Sequence, residues 1–200
     1  MNKNRYTLAG WLSMSMAAIL PLSIVLGIIE SIIGKKVLGW DGPIFGFSDV
    51  LSLIFVALAV YTIYMFRKLL KERYEFHAAN TILIVAIIWQ ALFAIVGFTL
   101  ELSLFLLWPV AEIPALIVML LFFITAMTTG GVIDILLASK LLQLKDKMSD
   151  LMKAFAWVTM ISGVLQVTVI LSPFALILVP VWCVMLGMIF LREKEEVEYL

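Results

Sequence analysis

The fold of this chain depends most on one apolar stretch, AFAWVTMISGVLQVTVILSPFALILVPVWCVMLGMIFL (residues 154–191). As a single helix it would be about 57 Å long at 1.5 Å per residue, against a hydrocarbon core of about 30 Å. Ser172-Pro173 falls in its middle, where proline breaks a helix. Basic residues flank both ends, with Lys153 before and Arg192 after, and basic flanks favour the cytoplasmic side of a membrane. The stretch therefore predicts two membrane crossings.

The lengths of the apolar segments and the positions of the charged residues divide the rest of the chain into membrane crossings too. Hydrophobic residues make up 64% of the 200 residues and charged residues 14%, and helices of about 20 apolar residues cross a bilayer. Twelve of the fourteen Lys and Arg residues fall on the predicted cytoplasmic side, and only Lys35 and Lys36 fall on the other. The sequence predicts an all-α, polytopic membrane protein, a six-transmembrane-helix bundle in three hairpins with cytoplasmic N- and C-termini. The spans of this single integral membrane domain (residues 1–200) are about 8–33, 48–66, 79–100, 114–138, 154–171 and 174–191.

Two span boundaries need a choice between alternatives. The first span is interpreted as retained, because it exceeds the apolar region of about 7–15 residues in a signal peptide. The fourth span is expected to start near Pro114, because proline is favoured at the first turn of a helix. The apolar stretch after Glu101 either lies along the outer interface or extends the third helix.

The composition argues against an enzyme. A single cysteine, Cys183, and a single histidine, His77, exclude an internal disulfide, a thiol oxidoreductase and a multi-histidine metal or haem site. Asp134 has no second carboxylate at its depth, as an intramembrane aspartyl protease requires. No nucleotide-binding glycine loop occurs, and topology already explains the basic residues that nucleic-acid binding would use. We expect no catalytic residue, no cofactor, no bound metal and no nucleic-acid partner.

Polar side chains inside the predicted spans are the candidate functional residues, because polar groups are costly in hydrocarbon. The candidate solute-binding set is Gln90, Thr128, Thr129, Asp134 and Gln166. These residues predict a path for a small solute or ion between the third, fourth and fifth spans. Interhelical hydrogen bonds explain the glutamines equally well, and Asp134 can instead pair with a lysine in the inner headgroup zone.

Two surface features bear on partners other than the lipid bilayer. Small residues at Ala9, Ser13 and Ala17 allow a helix to approach the first span closely, and this helix is either a partner protein or, as we favour, an internal neighbour. Apolar residues at helical spacing between residues 141 and 155 predict an amphipathic segment that lies on the headgroups or docks against a partner. Carboxylates on the outer side either attract cations or, as we favour, are ordinary solvated loop ends. These acids are Glu30, Asp41, Asp49, Glu101 and Glu112.

The sequence thus favours a non-enzymatic protein of a membrane, most readily a bacterial cytoplasmic membrane, that handles a small solute or ion within its helices. The alternative is an anchoring or regulatory subunit of a larger complex. In length, topology and the small residues of its first span, the chain is similar to the substrate-binding subunits of energy-coupling-factor vitamin transporters, although it carries no vitamin-contact motif. That likeness implies a solute-binding subunit of a multicomponent transporter.

Overall fold

The computed structural model describes residues 3–39, 45–144 and 148–192, with backbone alone at 3–5, 38, 104, 106–113 and 115. Throughout these ranges the regular structure is helical. The helices are α1 (Lys3–Ile33), continued by a π-helical turn (Gly34–Leu38), α2 (Phe47–Arg73), α3 (Asn80–Leu142), α4 (Asp150–Val167) and α5 (Ser172–Arg192).

Helix α3 contains two predicted spans and reverses direction between them. In a straight helix Phe93 and Phe122 would be about 43 Å apart, yet their rings stack with centroids 4.9 Å apart. The first arm (Asn80–Ser103) and the second arm (Leu116–Leu142) therefore form an antiparallel hairpin. Because helical backbone continues through residues 101–115, the apolar stretch there extends the helix, and the expected helix start at Pro114 is wrong.

The helices confirm an all-α bundle with the dimensions of membrane spans. Five segments are long and apolar enough to cross a membrane: Tyr6–Val37, Phe47–Arg73, Asn80–Ser103, Leu116–Leu142 and Ser172–Arg192. The sixth, α4, has 18 residues and begins with a charged turn. Large apolar side chains cover the outside of the bundle, as a surface against lipid requires.

The segments form a closed circuit of neighbours. Helix α1 packs against α2 and α5, α4 lies between α5 and α3, and α3 returns to α2. Tyr6 and Phe190 stack with ring centroids 6.3 Å apart, so the chain enters α1 and leaves α5 at the same end of the bundle. Arg67 and Lys140, near the ends of α2 and α3, lie at this end, which we call the basic end; the opposite end is the outer end.

Most of the buried core lies toward the basic end. Phe66, Phe155 and Phe190 are almost fully buried there, and the ring of Phe66 makes T-shaped contacts with each of the other two rings. The segment expected to lie on the headgroups is part of this core: Leu141 and Met152 are 0% exposed. The headgroup interpretation of residues 141–155 is therefore wrong, because the bundle itself covers their apolar face.

The small-residue stripe of α1 faces α5. Ala9 and Ser13 are fully buried, and Ser13 Oγ donates a hydrogen bond of 2.8 Å to the carbonyl oxygen of Cys183. Ala17 is partly buried beside Cys183. The neighbour at this stripe is thus an internal helix, as favoured from the sequence, and not a partner protein.

The α4–α5 hairpin is shorter than its neighbours at the outer end. Ser13 pairs with Cys183, and Leu176 shares a cleft wall with Leu20 and Ile24. The antiparallel register therefore brings the start of α5 level with the region of Ile24, whereas α1 continues beyond it. This shortfall leaves a gap beside α1 and α2.

Candidate functional site

Three polar side chains join the second arm of α3 to α4, and we call Asp134, Ser162 and Gln166 the polar node. The side-chain amide of Gln166 donates through Nε2 to Asp134 Oδ2 at 2.9 Å and to Ser162 Oγ at 3.1 Å. Ser162 is 5% exposed. The node therefore links two helices by side-chain hydrogen bonds in the apolar part of the bundle.

Glycines allow the two helices to come this close. A Cβ atom on Gly131 would lie 2.6 Å from the carbonyl oxygen of Gly163, and one on Gly163 would lie 2.7 Å from that of Gly131. A Cβ on Gly130 would lie 3.2 Å from Gln166 Oε1 and 3.9 Å from Trp89 Nε1. Small residues at a helix contact let backbones approach in membranes, so these glycines set the geometry of the node.

The predicted solute-binding residues do not all meet. Asp134 and Gln166 are hydrogen-bonded to each other, whereas Thr128 donates 2.8 Å back to the carbonyl oxygen of Ile124 in its own helix. Thr129 and Gln90 are partly buried, and their side chains form no hydrogen bond with the part of the chain that the structure describes. The neighbour of Gln90, Trp89, faces the node instead.

A second polar feature, which the sequence did not single out as a site, is a cleft of about 400 Å³ at the outer end. We call it the outer cleft. It lies where the short α5 leaves α1, α2 and the first arm of α3 uncovered. Its lining mixes apolar side chains, hydroxyls and two carboxyl groups: Leu20, Ser23, Ile24, Gly27, Ser31, Ser48, Asp49, Ser52, Glu101 and Leu176.

The acids of the outer cleft form a close pair. Asp49 and Glu101 line the same cleft, near enough for each carboxylate to repel the other, and Asp49 Oδ2 accepts a hydrogen bond of 2.7 Å from the backbone N–H of Gly46. Neither acid forms an ion pair with a Lys or Arg in the described ranges. The expectation that these two acids are solvated loop ends is therefore wrong.

Glu30 has a structural role beside the cleft. Its carboxylate accepts hydrogen bonds from the backbone N–H groups of Phe47 (2.7 Å) and Ser48 (3.3 Å) and from Ser48 Oγ (2.5 Å). These groups belong to the first turn of α2, where an acidic partner is favourable. Asp41 and the side chain of Glu112 lie outside the described residues.

The described helices are those of a multi-pass integral membrane protein with a polar node in the bundle and a polar cleft at its outer end. Among the residues that the structure describes, no group of three or more His, Cys, Asp or Glu side chains could hold a metal ion. Comparisons with protein-family models, with curated proteins and with solved structures find no match for this chain.

Proposed function

We propose that this protein is a non-enzymatic, multi-pass protein of a bacterial cytoplasmic membrane that takes a small cation or cationic solute into its bundle from the outer cleft. The observation that carries the proposal is the cleft itself. Its volume of about 400 Å³ lies in the range of about 300–1,000 Å³ typical of small-molecule sites. Such sites combine an apolar wall with a few convergent polar groups, as this one does.

The charge of the cleft favours a cation over an anion or a neutral solute. Two carboxylates side by side repel each other, so a cation or a shared proton stabilises the pair. Serine hydroxyls from α1 and α2 supply further oxygen atoms for a cation or for N–H donors. In a cleft with apolar walls these interactions are screened less than in open water.

The polar node is the proposed continuation of the solute path within the bundle. Asp134 and Gln166 are the predicted solute-binding residues that the bundle brings together, and Gly130 and Gly131 leave the space that Gln166 occupies. Gln90, Thr128 and Thr129 stay candidates for this path by their depth alone.

The anchoring-subunit alternative loses its best sequence support in this geometry. The stripe of Ala9, Ser13 and Ala17 faces α5 and the core, so a partner would have to bind another face. The outer cleft is also compatible with a solute-binding subunit of a larger transporter. A cleft accounts for binding of the solute, whereas the energy for transport can come from other subunits.

Cysteine labelling from the outside tests the cleft without knowledge of the solute. Ser52 lines the cleft, whereas the adjacent Leu53 does not. The native Cys183 is fully buried, so the unaltered protein supplies the background. In intact cells, we expect a cationic methanethiosulfonate to modify Ser52→Cys about tenfold faster than an anionic one, because the carboxylates of the cleft attract the first and repel the second. A tenfold ratio of rates corresponds to a free-energy difference of about 1.4 kcal/mol.

Two further variants sharpen this experiment. Leu53→Cys is the matched control, because a lipid-facing thiol stays protonated and reacts poorly with charged reagents. Glu101→Gln in the Ser52→Cys background should reduce the preference for the cationic reagent. A Ser52→Cys that is inert from outside contradicts the outer cleft, and equal rates with both reagents contradict its preference for cations.

A further inference from the structure

Asp134 is a carboxyl group within a membrane-spanning segment. It lies eight residues before the end of the second arm at Leu142, or about 12 Å along the helix axis. Gln166 Nε2 donates to its Oδ2 atom at 2.9 Å. Its Oδ1 atom accepts no hydrogen bond from any side chain or backbone group of the described ranges.

No Lys, Arg or His side chain within residues 3–39, 45–144 and 148–192 forms an ion pair with this carboxylate. Lys140 lies six residues further along the same helix, about 9 Å away along the axis and about 240° around it, so it points to a different face. On α4, Lys153 is 3.4 Å from Asp150 at the basic end. The first arm of α3 carries one ionisable side chain, Glu101, at its outer end. The charged residues of α2 lie near its two ends: Asp49, Arg67, Lys68, Lys71, Glu72 and Arg73.

The surroundings fit a proton better than a metal ion. An unpaired charge within a membrane is costly and marks ion or proton pathways. Metal cations such as Ca²⁺ and Mg²⁺ need several oxygen ligands, whereas Asp134 faces an amide nitrogen and a glycine contact. A single proton removes the charge and leaves the hydrogen bond to Gln166 intact.

We propose that Asp134 is a reversible proton-binding site of the bundle. A hydronium ion gives its proton to the Oδ1 atom: one O–H bond of the hydronium breaks, one O–H bond forms at Oδ1, and a water molecule leaves, so that the carboxylate becomes a neutral carboxylic acid. Release of the proton to water reverses this step, and no electron is transferred. Gln166 continues to donate to Oδ2 in both states and so orients the group. This inference rests in one respect on the proposed function: if the outer cleft takes up a solute, the proton bound by Asp134 is the ion whose movement is coupled to that uptake.

Infrared difference spectroscopy tests this site directly. The protein is reconstituted in phosphatidylcholine vesicles, and spectra at acid and alkaline pH are compared for the C=O stretching band of a protonated carboxyl group. We expect a band that is present at low pH and disappears as the pH rises, and we expect Asp134→Asn to lack it. Glu101→Gln should keep this band, because that residue belongs to the cleft and not to the polar node.

A second variant tests the role of Gln166. Gln166→Leu should keep the band but shift it to higher frequency, because the C=O group no longer accepts the amide hydrogen bond. Identical spectra for the natural protein and Asp134→Asn at every pH overturn the proposal, whether the group is permanently charged or permanently neutral. If Asp134→Asn does not elute as a folded species, an unshifted band in Gln166→Leu overturns it. The labelling of Ser52→Cys does not depend on Asp134, so it shows separately whether the outer cleft is also wrong.

Discussion

Replacing Gly131 by alanine tests whether the close helix contact holds the polar node together. The added Cβ would lie 2.6 Å from the carbonyl oxygen of Gly163, where an ordinary contact begins at 3.4 Å, so the helices must separate by about 0.8 Å. Backbone atoms cannot rotate away as a flexible side chain can. The same separation would stretch the 2.9 Å bond between Gln166 and Asp134 to roughly 3.7 Å, beyond hydrogen-bonding range.

We expect Gly131→Ala to lower the free energy of unfolding by about 1–3 kcal/mol, the usual cost of overpacking a well-packed site. Gly97→Ala is the matched control, because its Cβ would lie 3.5 Å from the ring of Phe122, an ordinary contact. Since alanine favours helix over glycine by about 1 kcal/mol, this control should be neutral or stabilising. Denaturation of the detergent-solubilised protein by increasing SDS measures both. Equal losses for the two variants would refute the close-contact argument.

Four further substitutions test buried and exposed side chains, each measured by the same SDS denaturation unless stated. Phe155→Ala should lower the free energy of unfolding by about 3–5 kcal/mol, because removal of its buried ring leaves a cavity. Ile177→Ala should lower it little, because this side chain is 66% exposed. Similar losses for the two variants would contradict the assigned core. Thr159→Val should cost about 1–3 kcal/mol, because the Trp182 N–H loses its acceptor at 3.1 Å, and unchanged stability would argue against that bond. Glu30→Ala should cost about 0.5–2 kcal/mol as the loss of a helix cap, with faster amide hydrogen exchange confined to the first turn of α2, and exchange that is unchanged there would count against the cap.

The positions of the spans and the grouping of basic residues at one end of the bundle were predictable from composition. Membrane thickness sets the length of each apolar segment, and Lys and Arg are preferred on one side of the membrane. The division of residues 154–191 between two helices, α4 and α5, needed only helix rise, bilayer thickness and Pro173. The structure places Pro173 in the first turn of α5, where proline is tolerated, so the break falls slightly earlier than Pro173. That difference follows from local turn geometry, which hydropathy does not report.

The rotational position of each helix was less predictable than its depth. Gln90 and Trp89 are neighbours at the same depth, yet the structure turns Trp89 toward Gly130 and the polar node. Which of two adjacent residues faces a partner depends on the crossing of helices distant in sequence. Likewise, the amphipathic pattern of residues 141–155 fits a helix on the lipid headgroups as well as a helix in a protein core. In both environments one apolar face of the helix is covered.

The outer cleft could not be predicted because it depends on a difference in length between helices. Asp49 and Glu101 are far apart in the sequence, and each alone resembles an acid at the end of a span. They line one cleft because α5 begins level with the region of Ile24 in α1 and leaves the space beyond Leu176 unfilled. A sequence gives the length of each helix, but the register between α1 and α5 comes from Gly10 and Gly187, whose backbones touch.

The same register explains why the two ends of the bundle suit different tasks. At the basic end, Phe66, Phe155 and Phe190 fill the space between helices, so separating helices there would expose much apolar core. At the outer end the short α5 leaves polar surface in place of such a core, and hydrogen bonds from α2 to Glu30 hold α1 and α2 together. Local opening takes place where buried apolar contacts are fewest. Under the proposed function, a solute that enters from outside would meet the part of the bundle that costs least to rearrange, while the basic end stays closed behind it.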